Sequence, residues 1–289
     1  MKESWQGNTA LRIPEIPEHP TWEIFADNDI VKEHAMDDRF LPFGYRSDNA
    51  KICDIDLYKT YCYLVCGAES TGKTSLLRLM ANSALMKKNA SLVIIDEPVK
   101  LRDFDEDDRV KVIRTADDLY NWCLNDLTPL FKGRNERKRK LVDDGYEGEE
   151  YYDELCDFNS VIIIVTSIPM FIKSIYTDEH GMKGFMETIM KKGSGHKITF
   201  IGAMDPSERS SVGGYEAFNI FTSYKTGVHL GGNSALDPYL SFRYMSTSEQ
   251  VKILPPGLGQ LSDKSGGSKS YHVVIPHAVR RRKERVKES

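Results

Sequence analysis

The chain has 289 residues, 40% of them hydrophobic, which is enough for one large α/β domain with a sizeable core. Its formal net charge of −4 gives no overall sign of a nucleic-acid-binding protein. Five cysteines without a CxxC pair argue against a disulfide framework or a zinc site and favour reduced thiols. No apolar run approaches the about 18–20 residues that a membrane-spanning helix needs, and the first residues lack the apolar core of a signal peptide. We therefore expect a soluble, cytosolic chain.

Residues 1–40 are punctuated by Pro14, Pro17 and Pro20 and are predicted to form an extended connector over the domain surface. Short apolar segments then alternate with amphipathic ones. Strands are predicted at 51–56, 61–66, 92–96, 161–166, 198–202, 226–230 and 271–275. Helices are predicted at 73–86, 116–142, 169–175 and 183–192, and a glycine- and serine-rich loop at 257–268. This alternation predicts an α/β fold with a mainly parallel sheet flanked by helices.

Charge is distributed in blocks along the chain. Acidic runs lie at 103–108 and 143–154, and the last residues, 278–289, form a basic tail. Runs of this kind are typical of solvated surfaces and tails. The sequence therefore divides into a connector at 1–40, a domain at 41–277 and a basic tail.

The segment GAESTGKTS matches the phosphate-loop pattern G-x-x-x-x-G-K-[ST] and lies between a predicted strand and a predicted helix. Glycines let successive backbone N–H groups point at phosphate oxygens, the lysine neutralises the β and γ charges, and the threonine hydroxyl ligates Mg²⁺. The predicted nucleotide-binding residues are Gly67, Ala68, Glu69, Ser70, Thr71, Gly72, Lys73, Thr74 and Ser75, with Thr74 as the metal ligand. The expected cofactors are therefore ATP and Mg²⁺.

Hydrolysis requires more than this loop, namely an apolar strand that ends in Asp, which orients the magnesium, usually followed by Glu, which polarises water. The literal match is LVIIDE, which makes Asp96 and Glu97 candidate catalytic residues. In RecA-like sheets, however, the metal-facing strand is usually the next one along the chain, here 161–166. That strand ends in Thr166 and Ser167, so on this placement both acids are missing. The sequence favours this second placement and leaves the first open.

Four segments together resemble the FtsK/SpoIIIE-type ATPases, and within them the C-terminal (third) ATPase domain of EssC-type motors of type VIIb secretion systems. They are the proline-rich RIPEIPEHPTWEIF, the P-loop region, GVHLGGN and LPPGLGQL. The resemblance extends from about Ile13 to Pro276. It implies a RecA-like P-loop domain, often degenerate, that acts in the recognition of exported proteins.

The resemblance also implies which partners the domain has and where in the cell it acts. The expected partners are the preceding ATPase domains of the same motor, small secreted proteins of the WXG type and larger toxins, with oligomers only in the full-length assembly. The domain would be the cytoplasmic part of a membrane-anchored protein, present here as a C-terminal fragment or an orphan copy. The alternatives are an active ATPase that uses Asp96 and Glu97, and an FtsK-like DNA translocase. The acidic charge balance disfavours the translocase, because a DNA channel needs a basic lining.

Overall fold

The computed structural model describes residues 15–177, 181–265, 267 and 269–280. Ten strands form one sheet: β1 (Phe40–Arg46), β2 (Ile52–Asp56), β3 (Cys62–Gly67), β4 (Ala90–Ile95), β5 (Val110–Ile113), β6 (Ser160–Val165), β7 (Ile198–Met204), β8 (Gly227–Leu230), β9 (Leu258–Leu261) and β10 (Tyr271–Val274). The helices are α1 (Trp22–Asp27), α2 (Asp29–Met36), α3 (Lys73–Leu85), α4 (Ala116–Trp122), α5 (Thr128–Asp143), α6 (Gly148–Cys156), α7 (Ile168–Thr177), α8 (Met182–Lys192), α9 (Glu216–Ser223) and α10 (Thr247–Gln250).

The sheet has a parallel half and an antiparallel half. Its order is β2-β1-β10-β9-β8-β3-β7-β6-β4-β5. The strands from β8 to β5 pair in parallel, and the other pairings are antiparallel. The predicted α/β fold with a mainly parallel sheet and flanking helices is confirmed.

Helices cover both faces of the parallel half, so its central strands are apolar along their whole length. In β6 every residue is buried. Because successive side chains point to opposite faces, Ile163 and Val165 join one core cluster while Ile162 and Ile164 join the other. Two cores, one on each side of the sheet, therefore fix the ends of the strands from which the site is built.

The prediction of an extended connector is wrong for residues 22–36, where α1 and α2 form. Thr21 caps α1 by accepting from the Ile24 N–H, and Asn28 caps α2 by accepting from the N–H groups of Ile30 and Val31. Phe25 of α1 is fully buried. These short helices thus owe their place to caps and to packing, which the spacing of the prolines does not reveal. How the chain divides into domains stays a prediction.

Two further local predictions are corrected. Residues 257–268 were expected to form a loop, but β9 lies inside this stretch and pairs with both β8 and β10. The polar helix expected at 116–142 is divided into α4 and α5 by a π-helical turn at Cys123–Leu127. None of the helices in the described part of the chain is long and apolar enough to span a membrane.

Lys87 is buried where the ends of α2 and α3 meet. It is 6% exposed, and its Nζ donates to the backbone oxygens of Asp37 and Ala35. Burial lowers the pKa of Lys87 from 10.5 to about 8. The folded state therefore holds this proton less tightly than the unfolded state does.

Between pH 8 and 10.5 the unfolded chain binds more protons at Lys87 than the folded chain, so folding stability rises with pH over this window. We expect this rise to contribute about 1–3 kcal/mol to the free energy of unfolding. Urea unfolding at several pH values, for the wild type and Lys87→Met, measures it as the difference between the two pH profiles. Parallel profiles would contradict the prediction.

Candidate functional site

The P-loop is the turn between β3 and α3, and its conformation depends on glycine. Gly67 has φ +149, and a Cβ there would lie 2.7 Å from both Leu230 O and Thr71 Oγ1. Gly72 has φ +103 and precedes the first residue of α3. Thr71 Oγ1 donates to Ala68 O over 2.8 Å and closes the turn. The predicted loop thus forms at a helix N-terminus, which is a favourable place for an anion.

Lys73 is the central cation of this loop. Its Nζ donates to the backbone oxygens of Gly67 and Ala68, each over 2.6 Å. Burial lowers the pKa of Lys73, an effect that the attraction of Asp205 opposes and the repulsion of Lys100 reinforces. The ammonium group is therefore held over the loop among other charged groups.

The GVHLGGN segment packs directly behind the loop. β8 lies beside β3, and a Cβ on Gly231 would come within 2.4 Å of Thr71 Cγ2. His229 is buried, with its ring nitrogens 2.8 Å from Asp237 Oδ2 and 2.9 Å from Gly232 O. The motif that carries the family resemblance therefore supports the phosphate loop sterically.

The two candidate catalytic strands differ in their distance from the loop. The sheet order β3-β7-β6-β4 places β6 one strand nearer to the P-loop strand than β4. The residues that follow β6 are Thr166 and Ser167. The Thr166 hydroxyl lies 3.3 Å from Ile95 O, and Ser167 Oγ accepts from the Met170 N–H in the first turn of α7. Both hydroxyls are thus engaged in local structure.

Asp96 follows β4, is fully buried and accepts several hydrogen bonds. Its Oδ1 accepts from the Lys100 N–H over 2.8 Å, and both oxygens accept from the Leu101 N–H. Arg114 Nη2 lies 3.3 Å from Oδ2. Glu97 Oε2, beside it, accepts from Ser174 Oγ of α7 over 3.3 Å. The structure therefore engages both residues in structural contacts, while their role in catalysis stays a prediction.

Asp205 is a residue near the loop that the sequence predictions omit. It follows β7, the neighbour of β3, and its Oδ1 accepts from the Ser207 N–H over 2.9 Å. Burial alone would raise its pKa, but hydrogen bonds from Ser207 and the charge of Lys73 outweigh burial and hold the pKa below its usual value. The available signal was its position at the carboxyl end of a parallel strand, where site residues gather.

Two cavities meet at the P-loop. The first, of about 520 Å³, is lined by Glu69, Ser70, Gly72, Lys73, Thr74, Ser75, Val99, Lys100 and Arg280. The second, of about 600 Å³, shares Ser70, Gly72 and Ser75 with the first and is otherwise lined mainly by residues of 18–21, 256–258 and 274–277. The first is polar and cationic, whereas the second contains the side chains of Pro20, Leu230, Leu258, Ile275 and Pro276.

The lining of the first cavity offers few ligands for a magnesium ion. Mg²⁺ requires octahedral oxygen ligands, and proteins usually hold it through one or two carboxylates. The lining offers the Thr74 hydroxyl and the exposed carboxylate of Glu69, while Lys100 Nζ lies 3.2 Å from Thr166 O at the end of β6. Within the described ranges, no group of three or more His, Cys, Asp or Glu side chains is placed to hold a metal ion. The end of β6, where a magnesium-orienting acid is expected, thus offers Thr166 and Ser167 and the ammonium group of Lys100, which does not fit a magnesium ion held there by a carboxylate.

Comparisons with known proteins identify the fold. No protein-family model and no curated protein match the sequence. Among solved structures, the cytoplasmic domain of EssC matches 92% of this chain and 49% of its own length, with TM-score 0.76 and 17% identity. EssC (ATPases 2 and 3) from Geobacillus thermodenitrificans matches 92% of this chain and 46% of its own, with TM-score 0.73 and 16% identity.

This chain has the fold of an EssC-type ATPase domain. Thermomonospora curvata EccC (ATPases 2 and 3), solved in complex with a signal sequence peptide, has the same fold, with TM-score 0.65 and 16% identity over 94% of this chain and 46% of its own. The chain spans about half the length of these EssC and EccC structures. The EssC-like fold that the sequence segments indicated is therefore confirmed.

Proposed function

We propose that this chain is a nucleotide-binding module of a type VII secretion motor in which ATP is bound but hydrolysed weakly or not at all. The observation that carries the proposal is the contrast between two halves of one site. The P-loop has its glycines, lysine and threonine in place, whereas the end of β6 presents Thr166 and Ser167. The acids Asp96 and Glu97 contact backbone, Arg114 and Ser174 instead.

In this proposal the two cavities hold the two halves of ATP. The triphosphate lies in the cationic cavity, against Lys73 and the N-terminus of α3. The base lies in the second cavity, against the apolar side chains that β8, β9 and the segment after β10 supply. Ser70, Gly72 and Ser75 line both cavities, so one ligand can extend from one into the other.

The absence of acidic residues directly after β6 determines how slowly ATP is expected to be hydrolysed. General-base assistance contributes about 10²–10⁴-fold in rate, so a site without it would turn ATP over very slowly. Binding would then act as a structural or regulatory event. In this function the chain works beside the preceding ATPase domains of the motor and recognises secreted proteins of the WXG type and toxins.

Nucleotide binding is tested by calorimetric titration of ATP into the wild type and Lys73→Ala, with phosphate release measured on the same samples. We expect saturable binding to the wild type and a loss of affinity of about 10–100-fold in the variant, because hydrogen bonds to charged groups contribute about 1.5–3 kcal/mol. Phosphate release should stay at background for both proteins. Absence of binding to the wild type would overturn the proposal, as would rapid turnover.

The secretion role has its own test. A purified WXG-type protein from the same organism, titrated against this chain with and without ATP, should bind saturably, and ATP should change its affinity. The support for this role is the shared fold with EssC and EccC, one of which was solved with a signal sequence peptide. Failure to bind in both conditions would contradict substrate recognition without affecting the nucleotide result.

A further inference from the structure

The cationic cavity at the P-loop has more basic side chains than a P-loop alone provides. Lys73, Lys100 and Arg280 all line it, and Glu69 is the carboxylate-bearing residue of the lining. Lys73 belongs to the P-loop pattern, but Lys100 follows β4 and Arg280 follows β10. Two cations from distant parts of the chain thus converge on the place where a triphosphate would lie.

Lys100 lies beside the residue that takes the place of the metal-orienting acid. Its Nζ donates to the backbone oxygen of Thr166 over 3.2 Å, directly after β6. An ammonium group at this position repels a divalent cation, whereas the carboxylate expected there would attract it. The same ammonium group attracts phosphate oxygens.

Asp96 fixes the turn that carries Lys100. The carboxylate accepts from the backbone N–H of Lys100 and of Leu101, so it holds the start of the segment that follows β4. Arg78 of α3 adds a contact to Lys100 O over 3.4 Å. The acid of the LVIIDE segment therefore acts as a positioning residue for a cation.

Arg280 reaches the cavity by a different route. The segment after β10 crosses α3, where Ser75 Oγ donates to Ala278 O over 3.4 Å, and His277 exchanges backbone hydrogen bonds with Pro20 and Trp22. Arg280 is exposed at the end of this segment and lines the cavity. Its guanidinium group can pair with two phosphate oxygens at once.

We propose that this site binds ATP without requiring Mg²⁺, because Lys100 and Arg280 supply the two positive charges that the metal ion otherwise brings to the phosphates. The inference rests on the proposed function, since it concerns the same nucleotide. It follows from the disagreement between the residues of the cavity and a carboxylate-held magnesium ion.

The experiment is calorimetric titration of ATP into the full chain in two buffers, one with excess MgCl₂ and one with excess EDTA. For the wild type we expect dissociation constants within about threefold of each other, less than the tenfold step that corresponds to about 1.4 kcal/mol. Binding in MgCl₂ together with a loss of more than about tenfold in EDTA would overturn the inference and leave the proposed function standing. Absence of binding in both buffers would instead remove the proposed function.

Lys100→Glu reverses the charge and makes a sharper test. We expect it to lose about 10–100-fold in affinity in EDTA and to regain most of that loss in MgCl₂, since a carboxylate beside β6 recruits the metal ion. Equal losses in both buffers would contradict the inference. Lys88→Gln, at an exposed lysine after α3 that does not line the cavity, is the matched control and should behave as the wild type.

Arg280→Gln keeps the test independent of folding, because Arg280 is an exposed residue beyond the last strand. Its affinity for ATP should fall by about tenfold in EDTA and by less in MgCl₂, as expected for one charge-assisted contact. Unchanged affinity in EDTA would remove Arg280 from the proposal.

Discussion

Asp96→Ala is expected to lower the free energy of unfolding by about 2–4 kcal/mol, because each buried N–H left without an acceptor costs about 1–3 kcal/mol. The side chain is fully buried and accepts from the N–H groups of Lys100 and Leu101. Arg114 also contacts Asp105, so it keeps one carboxylate partner when Asp96 is removed. The loss therefore falls mainly on the backbone of the turn. Urea unfolding followed by circular dichroism measures it.

The companion measurement is phosphate release. If Asp96 holds a turn and does not bind a metal ion, the variant has no turnover to lose, and release should equal the wild-type background. Glu97→Gln is the matched control. Because Glu97 is partly exposed, the free energy of unfolding of this variant should lie within about 0.5 kcal/mol of the wild-type value. Wild-type stability of Asp96→Ala, together with abolished turnover, would support the active-ATPase alternative instead.

The parts of this protein that could be predicted from sequence are those with strong local signals. The run Val161–Thr166 is apolar enough to specify a buried strand, and β6 occupies 160–165. The spacing of Gly67, Gly72 and Lys73 specifies the loop, because few other residues tolerate its backbone angles. The alternation of apolar and amphipathic segments predicts a mainly parallel sheet, and the strand pairing confirms it.

The parts that could not be predicted depend on contacts between distant residues. In the sequence, β5 to β10 lie between Lys100 and Arg280. Nothing in the local sequence of either residue indicates that it lines the cationic cavity. β9 is only four residues long and lies in a glycine-rich stretch, so pairing with β8 and β10 outweighs its weak propensity. The charge that acts on Asp205 comes from Lys73 of the P-loop, which is far from it in the sequence.

The first residue of the acidic run at 103–108 is another case in which a contact between distant residues could not be predicted from the local sequence. The sequence predicts a solvated surface, but Asp103 is 4% exposed and pairs with Arg78, which is 7% exposed, over 2.8 Å. Arg78 belongs to α3, the helix that the P-loop begins. The pair therefore connects the helix that follows the P-loop to the segment that carries Lys100.

Arg78→Met should lower the free energy of unfolding by about 3–5 kcal/mol, because it leaves the Asp103 carboxylate buried without its cation. Asp103→Asn should cost less, since the amide oxygen can still accept from the guanidinium group. The double variant Arg78→Met, Asp103→Leu should regain much of the loss, since an apolar pair of similar volume avoids the desolvation of two charges. Chemical unfolding of the wild type, Arg78→Met, Asp103→Leu and the double variant gives the interaction energy as a double-mutant cycle.

Additive losses in this cycle would contradict a coupled buried pair. The cycle also bears on the nucleotide site, because Arg78 Nη2 contacts Lys100 O as well as Asp103. If the pair holds the Lys100 segment against α3, the double variant should fold stably and still lose ATP affinity in EDTA. Because the double variant is folded, global unfolding could not cause the loss of ATP affinity. The loss would then result from a displacement of Lys100. A stable double variant with wild-type affinity would separate the pair from the site and limit its role to stability.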